Sequence, residues 1–209
     1  MTVSSERRPR GKSWRAAGIA MVLGGAMAMA SCHSKVDEGR SSVYLIMDQL
    51  EGGSGGAGNS PTFSNTLQAD VETKGGVFED PGRVSLHFAF KDVTVPTGPT
   101  TNNFITINRY RVQYRRTDGR NTQGVDVPYA FEGASTFTVT DEGGAGSFVL
   151  VRVQAKLERP LITLAGTAGG QLVISTIADV TFYGFDQTGT PVQITGSMSV
   201  NFADWADPQ

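Results

Sequence analysis

The sequence predicts an all-β fold, an antiparallel β-sandwich of about eight to ten strands. Three observations support this prediction. From Ser42 onward apolar and polar residues alternate with period two in one segment after another. No window of about 11 residues carries an apolar stripe at the helical period. Gly, Pro, Asn and Asp separate the alternating segments, as turn residues separate strands.

Seven segments are predicted as strands before the C-terminal region. In chain order they are residues 43–50, 67–72, 84–90, 105–115, 127–131, 136–140 and 147–157. In the fourth segment the apolar residues have odd numbers up to Ile107 and even numbers from Tyr110 onward. A β-bulge near Asn108–Arg109 would keep both sets on the same buried face.

The C-terminal region predicts a long antiparallel hairpin. Small and apolar residues of one parity define the face that we expect to be buried: Ala178, Val180, Phe182, Gly184, Val192, Ile194, Gly196, Met198, Val200 and Phe202. Residues 186–189 supply the turn, and Gly189 can take the positive φ that a short hairpin loop requires.

Residues 1–31 have the three parts of an export signal. Five basic residues lie among the first 15, an apolar stretch runs from Ala16 to Ala30, and small residues precede Cys32. As a helix, the 15 apolar residues would reach about 22 Å, which is short of the ~30 Å hydrocarbon core of a bilayer. The segment is therefore predicted as a cleaved signal peptide and not as a transmembrane helix.

The end of this signal, Met29-Ala30-Ser31-Cys32, resembles the lipobox of bacterial lipoproteins, in which small residues precede a required cysteine. Met29 departs from the family pattern, which usually has Leu there. The resemblance implies that Cys32 receives a diacylglyceryl group, that the chain is cut before it, and that its new amine is acylated. A thiolate is a strong nucleophile near neutral pH, which suits this chemistry. The alternative is a chance thiol at the end of an ordinary cleaved signal or of an uncleaved cytosolic leader.

A lipidated Cys32 would anchor the protein in the bacterial cell envelope, with the membrane as its partner. Residues 32–41 are then a polar tether, and residues 42–209 form the sandwich domain. In the sorting rule of enterobacterial lipoproteins, Asp after the acylated cysteine favours the inner membrane. His33 at that position therefore indicates the outer membrane, on its periplasmic or surface face. The strand rhythm also resembles an immunoglobulin-like sandwich, a resemblance that transfers no functional residues.

The charge balance argues against nucleic acid as a partner. The whole chain has a formal charge of −2, but from Cys32 onward 13 Lys+Arg face 19 Asp+Glu, which gives −6. Binding to phosphate backbones needs clustered positive charge. With Cys32 as its only cysteine, the fold cannot rely on disulfide bonds within the chain.

Five arginines within twelve residues are the candidate ligand-binding residues: Arg109, Arg111, Arg115, Arg116 and Arg120. The first three alternate along one face of a predicted strand. Because a guanidinium pairs with planar anions through two hydrogen bonds, they could bind acidic glycans, lipopolysaccharide phosphates or the carboxylates of a partner protein. The alternative is a solvated strand whose arginines pair with carboxylates on neighbouring strands.

The glycine-rich segment 52–58 matches the spacing of a nucleophile elbow and of a dinucleotide-binding loop. Both motifs need a strand before them and a helix after them, so this segment is predicted as a flexible loop instead. His87 is predicted to lie on a solvated strand face. Asp118, Asn121 and Asp126 could hold calcium, but turn chemistry explains the same residues. No catalytic residue, metal site or cofactor is predicted.

Three functional hypotheses follow. The first is a non-catalytic, lipid-anchored structural or interaction module of the envelope. The second is a binding module for glycans or other anionic envelope ligands through the arginine-rich strand. The third is an enzyme, which would need a converging set of carboxylates or a Ser/His/Asp set. The latter would depend on His87, the only domain histidine outside the tether.

Overall fold

The computed structural model describes residues 41–56, 60–91, 104–167 and 172–205, so Cys32 and the predicted signal peptide lie outside the described residues. Within these ranges there are nine strands, one short α-helix and one 3-10 helix. The strands are β1 (Val43–Gly53), β2 (Phe63–Ser64), β3 (Thr66–Asp70), β4 (Asp80–Phe90), β5 (Ile105–Arg115), β6 (Phe131–Val139), β7 (Gly144–Val151), β8 (Ile174–Asp186) and β9 (Pro191–Ala203). The α-helix α1 spans Val153–Leu157, and the 3-10 helix spans Leu161–Leu164.

The strands form two sheets around one hydrophobic core, which confirms the predicted all-β sandwich. One sheet has the order β2-β1-β4-β7 and the other has the order β3-β9-β8-β5-β6. All pairings are antiparallel except β3 with β9, which is parallel. The prediction of purely antiparallel sheets is wrong at this pair. The reason is that β3 leaves β2 to join the other sheet, instead of returning beside its neighbour through a hairpin.

The C-terminal hairpin is confirmed as strands β8 and β9, which pair from Ile174 to Phe185. The predicted inward face is the buried one, and Phe182 and Phe202 are among the largest fully buried side chains. Gly189 has φ +81° in the turn, as its position requires. Alternation along two adjacent strands was therefore sufficient to assign this part of the core.

Two β-bulges keep apolar side chains on the inner faces. In β5 the register shifts between Ile107 and Arg109, which confirms the predicted bulge. In β1 an unpredicted shift between Met47 and Gln49 leaves Asp48 as the extra residue. The inward positions of β1 thus change from odd to even numbers, so that Leu50 points into the core.

Two strand predictions are corrected. Residues 127–131 do not form a strand, because the amide of Val127 turns back to Thr122 O, and β6 begins only at Phe131. The strand predicted over 147–157 ends at Val151 and is followed by α1. Ala155 and Lys156 are both buried, whereas successive residues of a strand point to opposite faces.

Part of the glycine-rich segment belongs to β1 and not to a loop. Gly52 and Gly53 are buried at the end of this strand. A Cβ at Gly52 would lie 2.6 Å from Leu150 Cδ2, so a larger residue there would require this buried side chain to move. The glycine at position 52 therefore fits the packing of Leu150 of β7 over the inner face of the sheet.

A buried ion pair closes one end of the sandwich. Lys156 Nζ of α1 donates to Asp80 Oδ1 at the start of β4, over 2.8 Å, and the two side chains are 1% and 0% exposed. The amide of Gly55, just after β1, donates to the same oxygen over 2.8 Å. Burial raises the pKa of Asp80 to about 6, and the charge of Lys156 opposes that rise. Nearby, burial also raises the pKa of Tyr114, whose hydroxyl donates to Leu150 O over 2.6 Å.

Removing the lysine should be strongly destabilising. Lys156→Met leaves the Asp80 carboxylate buried without its cation, so we expect the free energy of unfolding at pH 7 to fall by about 3–5 kcal/mol. The measurement is urea unfolding followed by circular dichroism. Combining Lys156→Met with Asp80→Asn, which still accepts from Gly55, should restore much of the loss. A single variant as stable as the wild type would contradict this account.

The raised pKa of Asp80 also predicts a pH dependence. Because the buried carboxyl holds its proton more tightly than it does in the unfolded chain, its contribution to stability is largest below about pH 4. That contribution is lost as pH rises through about 6. Relative to Asp80→Asn, we expect the wild type to lose about 3 kcal/mol over this range. Urea unfolding of both proteins at pH 4, 5, 6 and 7 measures the difference, and a wild type that gains stability relative to Asp80→Asn as pH rises would contradict the prediction.

Candidate functional site

Arg109, Arg111 and Arg115 lie on the outer face of the five-stranded sheet, as predicted, and each has a carboxylate partner. Arg109 Nη1 lies 2.9 Å from Glu132 Oε2, and Arg111 Nη1 lies 3.8 Å from the other oxygen of the same carboxylate. Arg115 Nε donates to Asp179 over 2.7 Å, and this hydrogen bond raises the pKa of Arg115.

Arg116 and Arg120 do not continue the strand face but lie in the loop that follows β5. Arg116 pairs with Asp118, and its hydrogen bonds lower the pKa of that carboxyl. Arg120 Nε lies 3.3 Å from Asp126 Oδ1. The sequence therefore placed five arginines together, but the structure separates them into a strand group of three and a loop group of two.

The charge of this arginine surface is almost cancelled. Its five arginines face four carboxylates, those of Glu132, Asp179, Asp118 and Asp126, which leaves a formal +1. Arg111 has the longest contact because it shares Glu132 with Arg109. On the strand, the arginines pair with carboxylates of the neighbouring strands, as in the alternative interpretation of this strand as a solvated face.

The three candidate calcium ligands, Asp118, Asn121 and Asp126, use their side-chain oxygens for hydrogen bonds within the loop. Asn121 Oδ1 accepts from the amide of Arg116 over 2.6 Å, and Asp118 Oδ1 accepts from the amide of Arg120 over 3.1 Å. Asp126 Oδ2 accepts from the amide of Thr122 over 3.2 Å. In the part of the chain that the structure describes, no group of three or more His, Cys, Asp or Glu side chains is arranged to hold a metal ion.

His87 points outward from β4, as predicted, but it is paired and not simply solvated. Its Nδ1 lies 2.7 Å and 2.9 Å from the two carboxylate oxygens of Asp48, the bulged residue of β1. This pair could not be predicted from the sequence, because the bulge that brings Asp48 beside His87 was not predicted. Across the described ranges, no serine hydroxyl hydrogen-bonds to this histidine.

A groove of about 720 Å³ crosses the outer face of the four-stranded sheet. This volume lies within the range of small-molecule sites, about 300–1,000 Å³. β1, β4 and β7 supply Gln49, Glu51, Arg83, Val84, Ser85, Ala145, Gly146 and Ser147, and β6 supplies Ser135, Thr136 and Phe137. The contribution of β6 is possible because it runs beside the edge of β7, where Ser135 Oγ donates to Ser147 O over 2.7 Å.

The charged groups of the groove form one fixed cluster. Glu51 accepts from Gln49 Nε2 over 3.1 Å through one carboxylate oxygen and from Arg83 Nε through the other. The guanidinium of Arg83 also lies 4.5 Å from the centre of the Phe63 ring. The Glu51 side chain is only 11% exposed, whereas Arg83 is 52% exposed. Glu51 therefore orients two partners that can still reach a ligand.

Small residues create the open space of the groove. Ser85 pairs with Gln49 on one side and with Ala145 on the other, so the central strand has short side chains where the groove runs. Gly146, which pairs with the core residue Val84, instead faces inward, where a Cβ would be 2.2 Å from the Phe137 ring. Larger side chains at Ser85 and Ala145 would fill the groove.

The sequence did not reveal this groove. Glu51 shares the outer face with Arg83 because of the unpredicted bulge in β1, and no pattern in a single sequence indicates that β6 borders that face. Comparisons with protein-family models, curated proteins and solved structures give no match to this chain. Within the described residues, no helix is long and apolar enough to cross a membrane.

The neutralised arginine surface should bind polyanions weakly. We expect the protein to elute from a heparin-type column below about 0.15 M salt, where screening is already strong. Arg111→Ala combined with Arg115→Ala should elute at the same salt concentration as the wild type. Retention of the wild type to clearly higher salt, lost in the double variant, would instead identify this surface as an anion-binding site.

Proposed function

We propose that this chain is a lipid-anchored protein of the bacterial cell envelope that acts as a non-catalytic interaction module, binding a ligand or partner in the groove of the four-stranded sheet. The groove is the observation that carries the interaction part of the proposal. It combines a concave shape, preoriented polar side chains and a position on a rigid sheet, which together suit a binding site.

The lipobox resemblance at Cys32 supports the anchor. An acyl chain contributes about 0.8 kcal/mol for each buried methylene, and one chain holds a protein only marginally, so a diacyl or triacyl group is needed for a stable anchor. The polar residues 32–41 would connect that anchor to β1. His33 after the cysteine favours the outer membrane if the organism follows the enterobacterial sorting rule.

The strand order supports the immunoglobulin-like part of the fold prediction. In immunoglobulin domains strands A, B and E lie in one sheet and strands C, F and G lie in the other. The order β1-β4-β7 is like that of strands A, B and E. The order β9-β8-β5 is like that of strands G, F and C. Such sandwiches serve many unrelated functions, so the groove and not the fold carries the proposal.

The alternative of anion binding through Arg109, Arg111, Arg115, Arg116 and Arg120 has weaker support. Each guanidinium already has a carboxylate within 4 Å. An anionic ligand would have to displace these carboxylates or bind against their charge.

The anchor is tested by Cys32→Ser. Serine lacks the thiol that forms the thioether, so we expect the variant to lose labelling by a clickable fatty acid and to leave the membrane fraction. The wild type processed in parallel is the control. A serine variant that remains labelled and membrane-bound would overturn the lipid anchor.

The interaction role is tested by photo-crosslinking in intact cells. A photoreactive amino acid at the exposed Thr136, on the groove wall, should yield a product of higher mass than the chain alone. The same amino acid at Ser199, an exposed position of the other sheet, is the matched control. Recovery of the unmodified chain alone from both positions would count against an interaction module.

A further inference from the structure

We infer that the groove on the four-stranded sheet binds a neutral oligosaccharide; this inference rests on the proposed function and gives its ligand a chemical class. It places glycan recognition on the sheet opposite the arginine surface. The ligand is defined by uncharged sugar rings that present neighbouring hydroxyl groups.

Charge is the first argument. Among the described residues that line the groove, Glu51 and Arg83 alone are charged, and they pair with each other, so this lining has no net charge. An anionic ligand would approach the Glu51 carboxylate, and a cationic ligand would approach the Arg83 guanidinium. A neutral ligand meets neither repulsion, and electrostatic complementarity therefore favours it.

Hydrogen-bonding capacity is the second argument. Gln49 offers an amide, Arg83 offers terminal N–H donors, and the Ser85 and Thr136 side chains offer hydroxyls that both donate and accept. Sugar hydroxyls also donate and accept, so such a mixed lining can satisfy them. Because Glu51 holds Gln49 and Arg83 through hydrogen bonds, less side-chain entropy is lost when a ligand binds.

The surface between these polar groups is the third argument. Ala145, Gly146 and Phe137 provide an apolar strip beside the polar residues. A sugar ring has the same two-sided character, with C–H groups on its faces and hydroxyls at its rim. An open groove of about 720 Å³ can accept a segment of a chain that continues beyond it at either end.

The decisive variant is Ser85→Val, with Ser199→Val as its matched control. Both replace a strand serine with a residue that strands favour, but only the first fills the groove. Titration calorimetry on the full-length protein is the measurement. It needs a non-glycosidic detergent, because glucoside and maltoside headgroups would compete for the site. Unchanged thermal midpoints establish that both variants fold.

The ligands are three sets of oligosaccharides of matched length: N-acetylated chitin oligomers, unmodified glucose oligomers and acidic galacturonate oligomers. We expect one or both neutral sets to bind the wild type. Ser85→Val should weaken that binding by about tenfold or more, and Ser199→Val should leave it unchanged. The affinity should also be independent of salt, because a neutral ligand releases no counterions.

Three results would overturn the inference. The first is no binding of either neutral set at millimolar concentration, and the second is equal binding by both serine variants. The third is binding of the acidic set alone, if the combined variant Arg111→Ala, Arg115→Ala abolishes that binding.

These outcomes are independent of the anchor, since they are measured on purified protein. If Cys32→Ser loses the fatty-acid labelling of the wild type but no glycan binds, the lipid anchor is supported and the oligosaccharide inference is overturned. If glycans bind but the wild type is not labelled, the oligosaccharide inference is supported and the lipid anchor is overturned.

Discussion

The buried pair of Asp80 and Lys156 is the interaction on which one end of the sandwich depends. Asp80 begins β4, Lys156 lies in α1 after β7, and Gly55 follows β1, so one carboxylate joins three parts of the chain that are far apart in sequence. Burying a charged pair does not favour folding by itself, because desolvation offsets the attraction. A buried carboxylate without its partner is much less favourable than the pair, so this packing is specific. The pair thus fixes the position of α1 against the sheets.

The charges on the two outer faces are also paired, but the pairs have different surroundings. On the five-stranded sheet, Arg109 packs over the ring of Tyr183 and pairs with Glu132. On the four-stranded sheet, Glu51 and Arg83 stand beside positions occupied by Ser85 and Ala145, which leave space. The groove on the second face is open because the charged pair there has these short neighbours. The proposed binding function follows from the small size of these neighbours more than from charge.

The predicted parts of the fold were those determined by local pattern. Alternation placed the C-terminal hairpin and the whole of β5, and the change of parity after Ile107 located its bulge. The pattern failed where long-range contacts decide local structure. Lys156 lies in a helix where a strand was predicted, and it pairs with Asp80, 76 residues earlier; Gly52 lies in β1 where a loop was predicted, against Leu150 of β7. The bulge at Asp48 was missed as well, and with it the pairing of this carboxylate with His87.

Three properties could be predicted from the sequence without a structure: the all-β fold, the residues of the last hairpin that face the core, and the lipobox resemblance of Met29–Cys32. These properties depend on residues that are neighbours in the chain, and a period of two or a short motif records them. The tertiary structure alone decided that the arginines are neutralised and that a groove lies on the opposite sheet. Both depend on which strands become neighbours: Asp179 reaches Arg115 through the pairing of β8 with β5, and β6 borders the groove because it runs beside the edge of β7. Strand order brings these groups together, and a single sequence does not specify strand order.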